Sequence, residues 1–370
     1  MWHRVTYPAE VRVGMICPYS LSVPGGVQGQ ALGLARALRE IGHEVSVLGP
    51  CDGPPPEAGI IPVGVSIPTA ANGSVAPIAP DVSAQLRTIR AMRDEEFEVL
   101  HLHEPLCPGP TQTAVLFRLA PIVGTFHAAG DSLGYELLRP MVRWGASRLS
   151  LRCAVSEDAK KLAEAALGGD YELVFNGVEV DRYAKAVPWA RRRGDGPTIL
   201  FLGRHEPRKG LAMLLDAVRR LGPEVRVWIA GDGPETEALK ARHAGDPRLE
   251  WLGRIPEEEK LARLRAADVF CAPSLRGESF GVVLLEAMAA GTPVVACDLP
   301  GYANVARANR DALLVPVGDD GALAEALRRV FTEPGLADRV VASGSERAAE
   351  FSVELLAESY VALYERVLGR

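Results

Sequence analysis

The feature that most constrains this chain is an alternation that occurs twice. Short apolar runs rich in β-branched residues are separated by stretches of helical period, first over residues 11–155 and again over 199–315. Strands that alternate with helices build parallel sheets, because the chain must cross back over one face before laying down the next strand. The first series predicts strands at 11–17, 44–48, 99–103, 122–125 and 153–155. The second predicts strands at 199–202, 225–230, 249–252, 269–272, 294–296 and 313–315. Between the first two strands, Val27, Ala31, Leu34, Leu38 and Ile41 form one helical stripe, and Gly42 supplies the stop.

The polar, Pro/Gly-rich segment 186–197 separates the series and reads as a linker. The expectation is an α/β protein of two Rossmann-like, doubly wound domains facing a central cleft. The first spans residues 1–185 and the second 186–352. A helix at about 353–370 completes the first. Ligands of such folds lie at the carboxyl ends of the strands. A length of 370 residues suits two domains. Residues 52–80 are proline-rich and read as surface loops with one short strand.

Composition removes several function classes. Hydrophobic residues at 48% and charged residues at 24% exclude a disordered chain. The net charge of −6 excludes a strongly basic nucleic-acid domain. Six cysteines stand far apart with no CxxC pair, so they read as buried free thiols rather than zinc ligands. No run of 18 apolar residues and no signal-peptide core occurs, so the expectation is a cytoplasmic protein without a spanning segment. Arg87, Arg90 and Arg93 fall near one face of a predicted helix. By residue pattern alone this reads as an ordinary amphipathic surface helix, with a membrane-surface helix as the alternative.

Four groups carry candidate chemistry. Pro24-Gly25-Gly26-Val27-Gln28 joins the first strand to the first helix, where glycines and free N–H groups suit an anion. Residues 203–210 (GRHEPRKG) place Arg204, Arg208 and Lys209 at a strand end, a set that suits a diphosphate. Glu278 and Glu286 lie eight residues apart, around a Gly281 turn and inside an otherwise apolar helix. Sugar hydroxyls are good partners for such carboxylates. His127 ends a strand and suits acid–base work or hydroxyl recognition. His101 and His103 share a strand face and read as structural histidines. No third metal ligand stands at useful spacing.

The ordered set PGGVQ, TFH, GRHEPRKG, GDGPE, E-x7-E and AMAAGTPVVA resembles the retaining glycosyltransferases of family 4, with the GT-B fold. MICPYS, ANGSVAP and VLHLHEP narrow the likeness to the actinobacterial phosphatidylinositol α-mannosyltransferases. The resemblance implies transfer of mannose from GDP-mannose to the inositol of phosphatidyl-myo-inositol at an anionic membrane surface. It implies a peripheral protein on the inner face of the plasma membrane, no tightly bound cofactor, and Mg²⁺ stimulation without a protein metal site. Gly26, Arg204, Arg208 and Lys209 would hold the diphosphate. Glu278 would hold hydroxyls of the mannose and Glu286 the ribose, and Ser279, Phe280, Gly281 and Val282 would contact the donor. Ile255, Pro256, Glu257 and Lys260 match the guanine positions. Tyr19 and Gln28 would face the acceptor inositol, His127 would contact the mannose or that acceptor, and His127, Arg204, Lys209 and Glu278 would serve catalysis. Arg87, Arg90 and Arg93 align with the family's membrane helix. Pro77 stands where relatives carry Arg, and Leu106 where they carry Asn. Two alternatives remain: a family 4 enzyme with another acceptor or a UDP-sugar donor, and a non-catalytic sugar-nucleotide-binding protein.

Overall fold

The computed structural model describes residues 10–71, 74–127, 139–191, 194 and 196–370. The chain divides into two units. One is Met1–Gly177 with Val353–Arg370, and the other is Val178–Ser352.

The first unit runs β1 (Arg12–Ile16), α1 (Gly26–Glu40), β2 (Glu44–Gly49), β3 (Ile60–Pro62), β4 (Ile67–Ala71), β5 (Ser74–Ile78), α2 (Val82–Asp94) and β6 (Val99–His103). It continues through α3 (Pro110–Phe117), β7 (Ile122–Phe126), α4 (Arg139–Ser147), β8 (Leu151–Ala154), α5 (Glu157–Leu167) and β9 (Glu172–Leu173). Its sheet has the order β3-β2-β1-β6-β7-β8-β9, and every pairing is parallel. Central strands with both faces covered are buried along their length, as β1 is from Val13 to Ile16 and β6 is throughout, with His101 and His103 its polar members.

The second unit runs α6 (Val180–Ala184), β10 (Thr198–Leu202), α7 (Leu211–Val218), β11 (Arg226–Ala230), α8 (Thr236–Arg242), β12 (Leu249–Gly253) and α9 (Glu257–Ala266). β13 (Val269–Ala272), α10 (Val282–Ala289), β14 (Val294–Cys297), α11 (Pro300–Ala303), β15 (Leu313–Val315), α12 (Asp320–Thr332) and α13 (Leu336–Ala349) follow. Its parallel sheet has the order β12-β11-β10-β13-β14-β15. In chain order that is 3-2-1-4-5-6, the doubly wound arrangement, with the switch point between β10 and β13. The first unit reverses direction between β1 and β6.

Each sheet is packed on both faces. In the first unit, Val13 and Met15 pack with α1 and with α14 (Val353–Leu368), whose Tyr360 and Tyr364 are fully buried. Leu100 and Leu102 pack on the opposite face with α2, α3, α4 and α5. The second unit has one continuous core from Val178 to Phe351.

Two expectations need correction. The segment 52–80 holds three short strands, and β4 and β5 form an antiparallel ribbon. Segment 186–197 is not a free linker over its described part. The Trp189 amide donates to the Ala262 carbonyl, and the Arg263 guanidinium lies 4.3 Å from the Trp189 ring centroid. Arg191 pairs with Asp268 at 2.7 Å. Aromatic and cationic side chains in a polar stretch therefore dock it on the second unit, which begins at Val178.

Candidate active site

Strand ends at the switch point of the second unit bring the predicted cations and carboxylate together. After β10 the chain makes a 3₁₀ turn at Pro207–Lys209 and closes on Gly210 with φ +70°. A Cβ on Gly210 would lie 1.9 Å from the Pro273 carbonyl oxygen. Glycine lets the cationic loop press against the loop that follows β13. Lys209 Nζ consequently lies 2.6 Å from Glu278 Oε1, which also accepts from Ser274 Oγ at 2.8 Å. Tyr302 in turn donates to Ser274 Oγ at 3.0 Å.

Glu206 is a member of the site that residue reading passed over. Its buried carboxylate takes Arg208 Nε at 2.8 Å on one oxygen and Arg204 at 3.4 Å on the other. One acidic residue among three cations was the available signal. It fixes the arginine forks in place, which limits the rotamer freedom lost when an anion binds. The cluster holds three cations and two carboxylates, a net excess of one positive charge.

A second cluster lies at the start of α9 and α10. Lys260 Nζ is 2.9 Å from Glu286 Oε1 and 3.1 Å from Glu257 Oε1. Burial works against the Lys260 ammonium. The Glu286 and Glu257 carboxylates, with Tyr183 beside them, outweigh it and hold its pKa well above the usual lysine value. Tyr183, from the short α6, lies with its ring centroid 5.5 Å from Lys260 Nζ and its hydroxyl 3.5 Å from Glu257. It too was missed, because nothing in residues 180–184 marks a site. Ile255 and Pro256 lead into α9 beside this cluster.

The segment 279–282 divides in two. Phe280 is 1% exposed and packs edge-on against Phe351. Its side chain belongs to the core rather than to a ligand. Gly281, with φ +94°, caps α10, and a Cβ there would lie 2.8 Å from the Tyr302 ring. Ser279 and Val282 flank this cap. A hollow of about 460 Å³ at the ends of β11 and β12 is lined by Asp232, Thr236, Lys240, Trp251 and Arg254.

In the first unit, Gly26 opens α1 and has open space beside it. Gln28 does not face outward. It is 7% exposed, and its amide donates to the carbonyls of Ser20 at 3.4 Å and Val23 at 3.2 Å. It therefore straps the loop to the helix. The Tyr19 backbone bridges Ile78, and its hydroxyl bonds the Cys107 thiol. Pro77 pairs with Pro68 in the ribbon, and its carbonyl accepts the Ser20 amide at 2.9 Å. Leu106 packs into the core cluster beside α4.

His127 follows β7. Its Nε2 is 2.9 Å from His103 Nδ1, and its backbone N–H donates to Glu104 Oε1 at 2.8 Å. Burial lowers the His127 pKa to about 4, so the ring is neutral at pH 7. His103, read as a structural histidine, thus lies in direct contact with a predicted site residue. On α2, Arg87 Nε donates to the Val63 carbonyl at 2.8 Å and Arg90 pairs with Asp94 at 3.2 Å. Val82, Leu86, Arg90 and Arg93 form one exposed stripe, with Val82 and Leu86 at 68% and 62% exposure.

Comparison with known proteins identifies the family. Residues 24–182 match the model for Glycosyltransferase Family 4, and residues 196–333 match that for Glycosyl transferases group 1. A phosphatidyl-myo-inositol mannosyltransferase of Mycobacterium leprae is 41% identical over 96% of this chain and 97% of its own length. The chain belongs to the phosphatidyl-myo-inositol mannosyltransferase family. It is an enzyme, a glycosyltransferase. A second family member, from Mycolicibacterium smegmatis, is 39% identical over 97% of this chain and 95% of its own. Sucrose-phosphate synthase from Thermosynechococcus elongatus shares the fold, with TM-score 0.77 and 20% identity over 97% of this chain and all of that one. The glycosyltransferase fold is thus the two-unit α/β arrangement expected as GT-B. Among the described residues, no helix is long and apolar enough to cross a membrane.

Proposed function

We propose that the enzyme transfers mannose from GDP-mannose to the inositol of phosphatidyl-myo-inositol at an anionic membrane surface. The observation that carries this reading is the meeting of Lys209 and Arg208 with Glu278, with Arg204 and Arg208 held by Glu206, at the switch point of the second unit. Near full-length likeness to phosphatidyl-myo-inositol mannosyltransferases supports the acceptor.

Each cluster then has a chemical task. Arg204, Arg208 and Lys209 neutralise the diphosphate, whose charge grows as the glycosidic bond breaks. Glu278, already oriented by Lys209 and Ser274, accepts from mannose hydroxyls. Glu286 accepts from ribose hydroxyls. Glu257 and Lys260 suit guanine, whose adjacent ring N–H and amino group match a carboxylate and whose carbonyl oxygen matches an ammonium.

The reaction is read as same-face attack with retention. The inositol oxygen bonds to the anomeric carbon as the bond from that carbon to phosphate breaks, and the inositol proton passes to the leaving phosphate oxygen. The reading calls for no tightly bound cofactor, with Mg²⁺ as a stimulant only. The exposed Val82, Leu86, Arg90 and Arg93 stripe supports peripheral contact with anionic lipid on the inner leaflet.

Radiolabelled GDP-mannose incubated with enzyme and phosphatidylinositol vesicles tests this directly. A mannosylated glycolipid is expected. Label transferred only to a soluble acceptor, or only from a UDP-sugar, overturns the assignment. A covalent mannosyl-enzyme found by mass spectrometry overturns the same-face step.

A further inference from the structure

Two consecutive residues at the end of β6 converge on His127, which a regular strand forbids. Successive side chains along a strand point to opposite faces. His103 and Glu104 escape this because Glu104 has φ +51°, a left-handed conformation that is costly for a residue with a Cβ. The backbone turn at Glu104 is braced. Its carbonyl accepts from the Cys107 amide at 3.0 Å and from Thr111 Oγ1 at 3.2 Å. His103 then reaches the His127 ring while the Glu104 carboxylate reaches the His127 backbone. His103 is 2% exposed and Glu104 is 7% exposed. Strain and a buried carboxylate at one strand end are both directed at a single residue.

A column of rings continues beneath. His101 stacks on His103 with centroids 4.6 Å apart, and His103 stacks on His127 at 5.1 Å. Both His101 nitrogens are engaged, Nδ1 with the Tyr364 hydroxyl at 2.7 Å and Nε2 with Thr125 Oγ1 at 2.8 Å. Tyr360 bonds that same threonine at 2.9 Å. α14 thereby fixes the bottom of the column.

The shared bond decides where His127 carries its proton. Burial keeps both rings neutral at pH 7, so each has one N–H. His103 Nε2 is buried without a partner among the described residues. Were His127 to donate, His103 would hold its proton on that partnerless nitrogen. With His103 donating, the enclosed His103 Nε2 keeps only a lone pair, and the open N–H sits instead on His127, whose residue retains 8% exposure against 2% for His103. An orphan N–H is costliest where it is most buried. His127 then carries its proton on Nδ1, which has no partner among the described residues.

We propose that His103 and Glu104 are positioning residues, His103 holding His127 as its Nδ1–H tautomer and Glu104 anchoring its backbone, so that His127 is a hydrogen-bond donor to a hydroxyl of the transferred sugar. This rests on the reading of His127 as a group that touches that sugar.

The test uses full-length protein labelled with ¹⁵N-histidine, with His127 assigned from a His127→Asn variant. Long-range ¹⁵N–¹H spectra of the wild type are expected to show His127 protonated on Nδ1. His103→Phe keeps the stacked ring and removes the bond. It is expected to shift His127 toward the Nε2–H form and to lower kcat about 10-fold or more, with the GDP dissociation constant unchanged within about twofold. His103→Asn, whose amide N–H replaces Nδ1–H, is expected to rescue both readouts, whereas His103→Gln is not. Glu104→Ala is expected to lower kcat without weakening GDP. An Nε2–H tautomer in the wild type, or His103→Phe with tautomer and kcat unchanged within about twofold, overturns the proposal. Should His103→Phe not fold, equal behaviour of His103→Asn and His103→Gln overturns it. A Glu104→Ala kcat within about twofold of wild type removes Glu104 from the proposal. If wild-type enzyme moves no mannose from GDP-mannose, the functional reading fails, while the tautomer spectrum still decides the positioning.

Discussion

Lys209 and Glu278 are 69 residues apart in the chain and 2.6 Å apart in the fold. Each side chain is mostly buried, at 21% and 11% exposure. Neither is therefore a solvated surface charge, and each needs the other when no ligand is bound. A diphosphate arriving beside Lys209 gains a cation already held in place.

Replacing that cation should affect both binding and turnover. Lys209→Ala is expected to lower kcat by about 100-fold or more, the scale of losing a fixed charge-stabilising donor. GDP affinity should fall about 10-fold. Calorimetric titration with GDP and steady-state transfer rates check the two effects separately. Unchanged GDP affinity would remove Lys209 from the diphosphate site.

Glu286 and Lys260 form a charge pair at 2.9 Å beside Tyr183, so their substitutions should not add. Glu286→Ala is expected to weaken GDP about 10-fold through the lost ribose contact. Lys260→Ala on that background should cost less than it does alone. Intact GDP affinity in Glu286→Ala would make the residue structural only, and additive losses would break the coupling.

Acid should destabilise the protein before its carboxylates titrate. Burial depresses the pKa of His127 to about 4 and that of His101 to about 3, with His103 also well below the ordinary value. The unfolded chain binds these protons near pH 6.5 and the folded chain does not. Stability is therefore full above pH 6.5 and falls as the pH drops toward 4. His43, His205 and His243 shift the same way, again chiefly through burial. Urea midpoints at pH 7.5 and 5.0 measure the fall, and His127→Asn should make it smaller. A midpoint flat across this window would contradict the buried column.

The α2 stripe should govern attachment to lipid. Replacing Arg90 and Arg93 with Ala removes two cations worth about 1 kcal/mol each near an anionic surface. Vesicle flotation should fall several-fold, and Leu86→Asp should add to the loss. Salt should mimic the arginine changes. Equal flotation of wild type and variants would place membrane contact elsewhere.

The strand–helix alternation, the two sheets and the chemistry of the cationic loop were legible in the chain itself. Apolar periodicity and residue type are local properties, and burial acts on them directly. Membership of Lys209 and Glu278 in one site was legible as two motifs, but their contact depends on β10 and β13 being neighbours at a switch point. Phe280 lies inside a site motif yet packs in the core, because Phe351 and the closure of α10 decide its direction. Gln28 stands in a glycine loop yet serves that loop's own carbonyls. Glu206 and Tyr183 became site neighbours only through charge and burial that the fold assembled. The left-handed turn at Glu104 has no signature in residue type, since any residue other than glycine disfavours it. Only the packing of β6 against β7, with the braces from Cys107 and Thr111, holds that strain and aims His103 and Glu104 at His127.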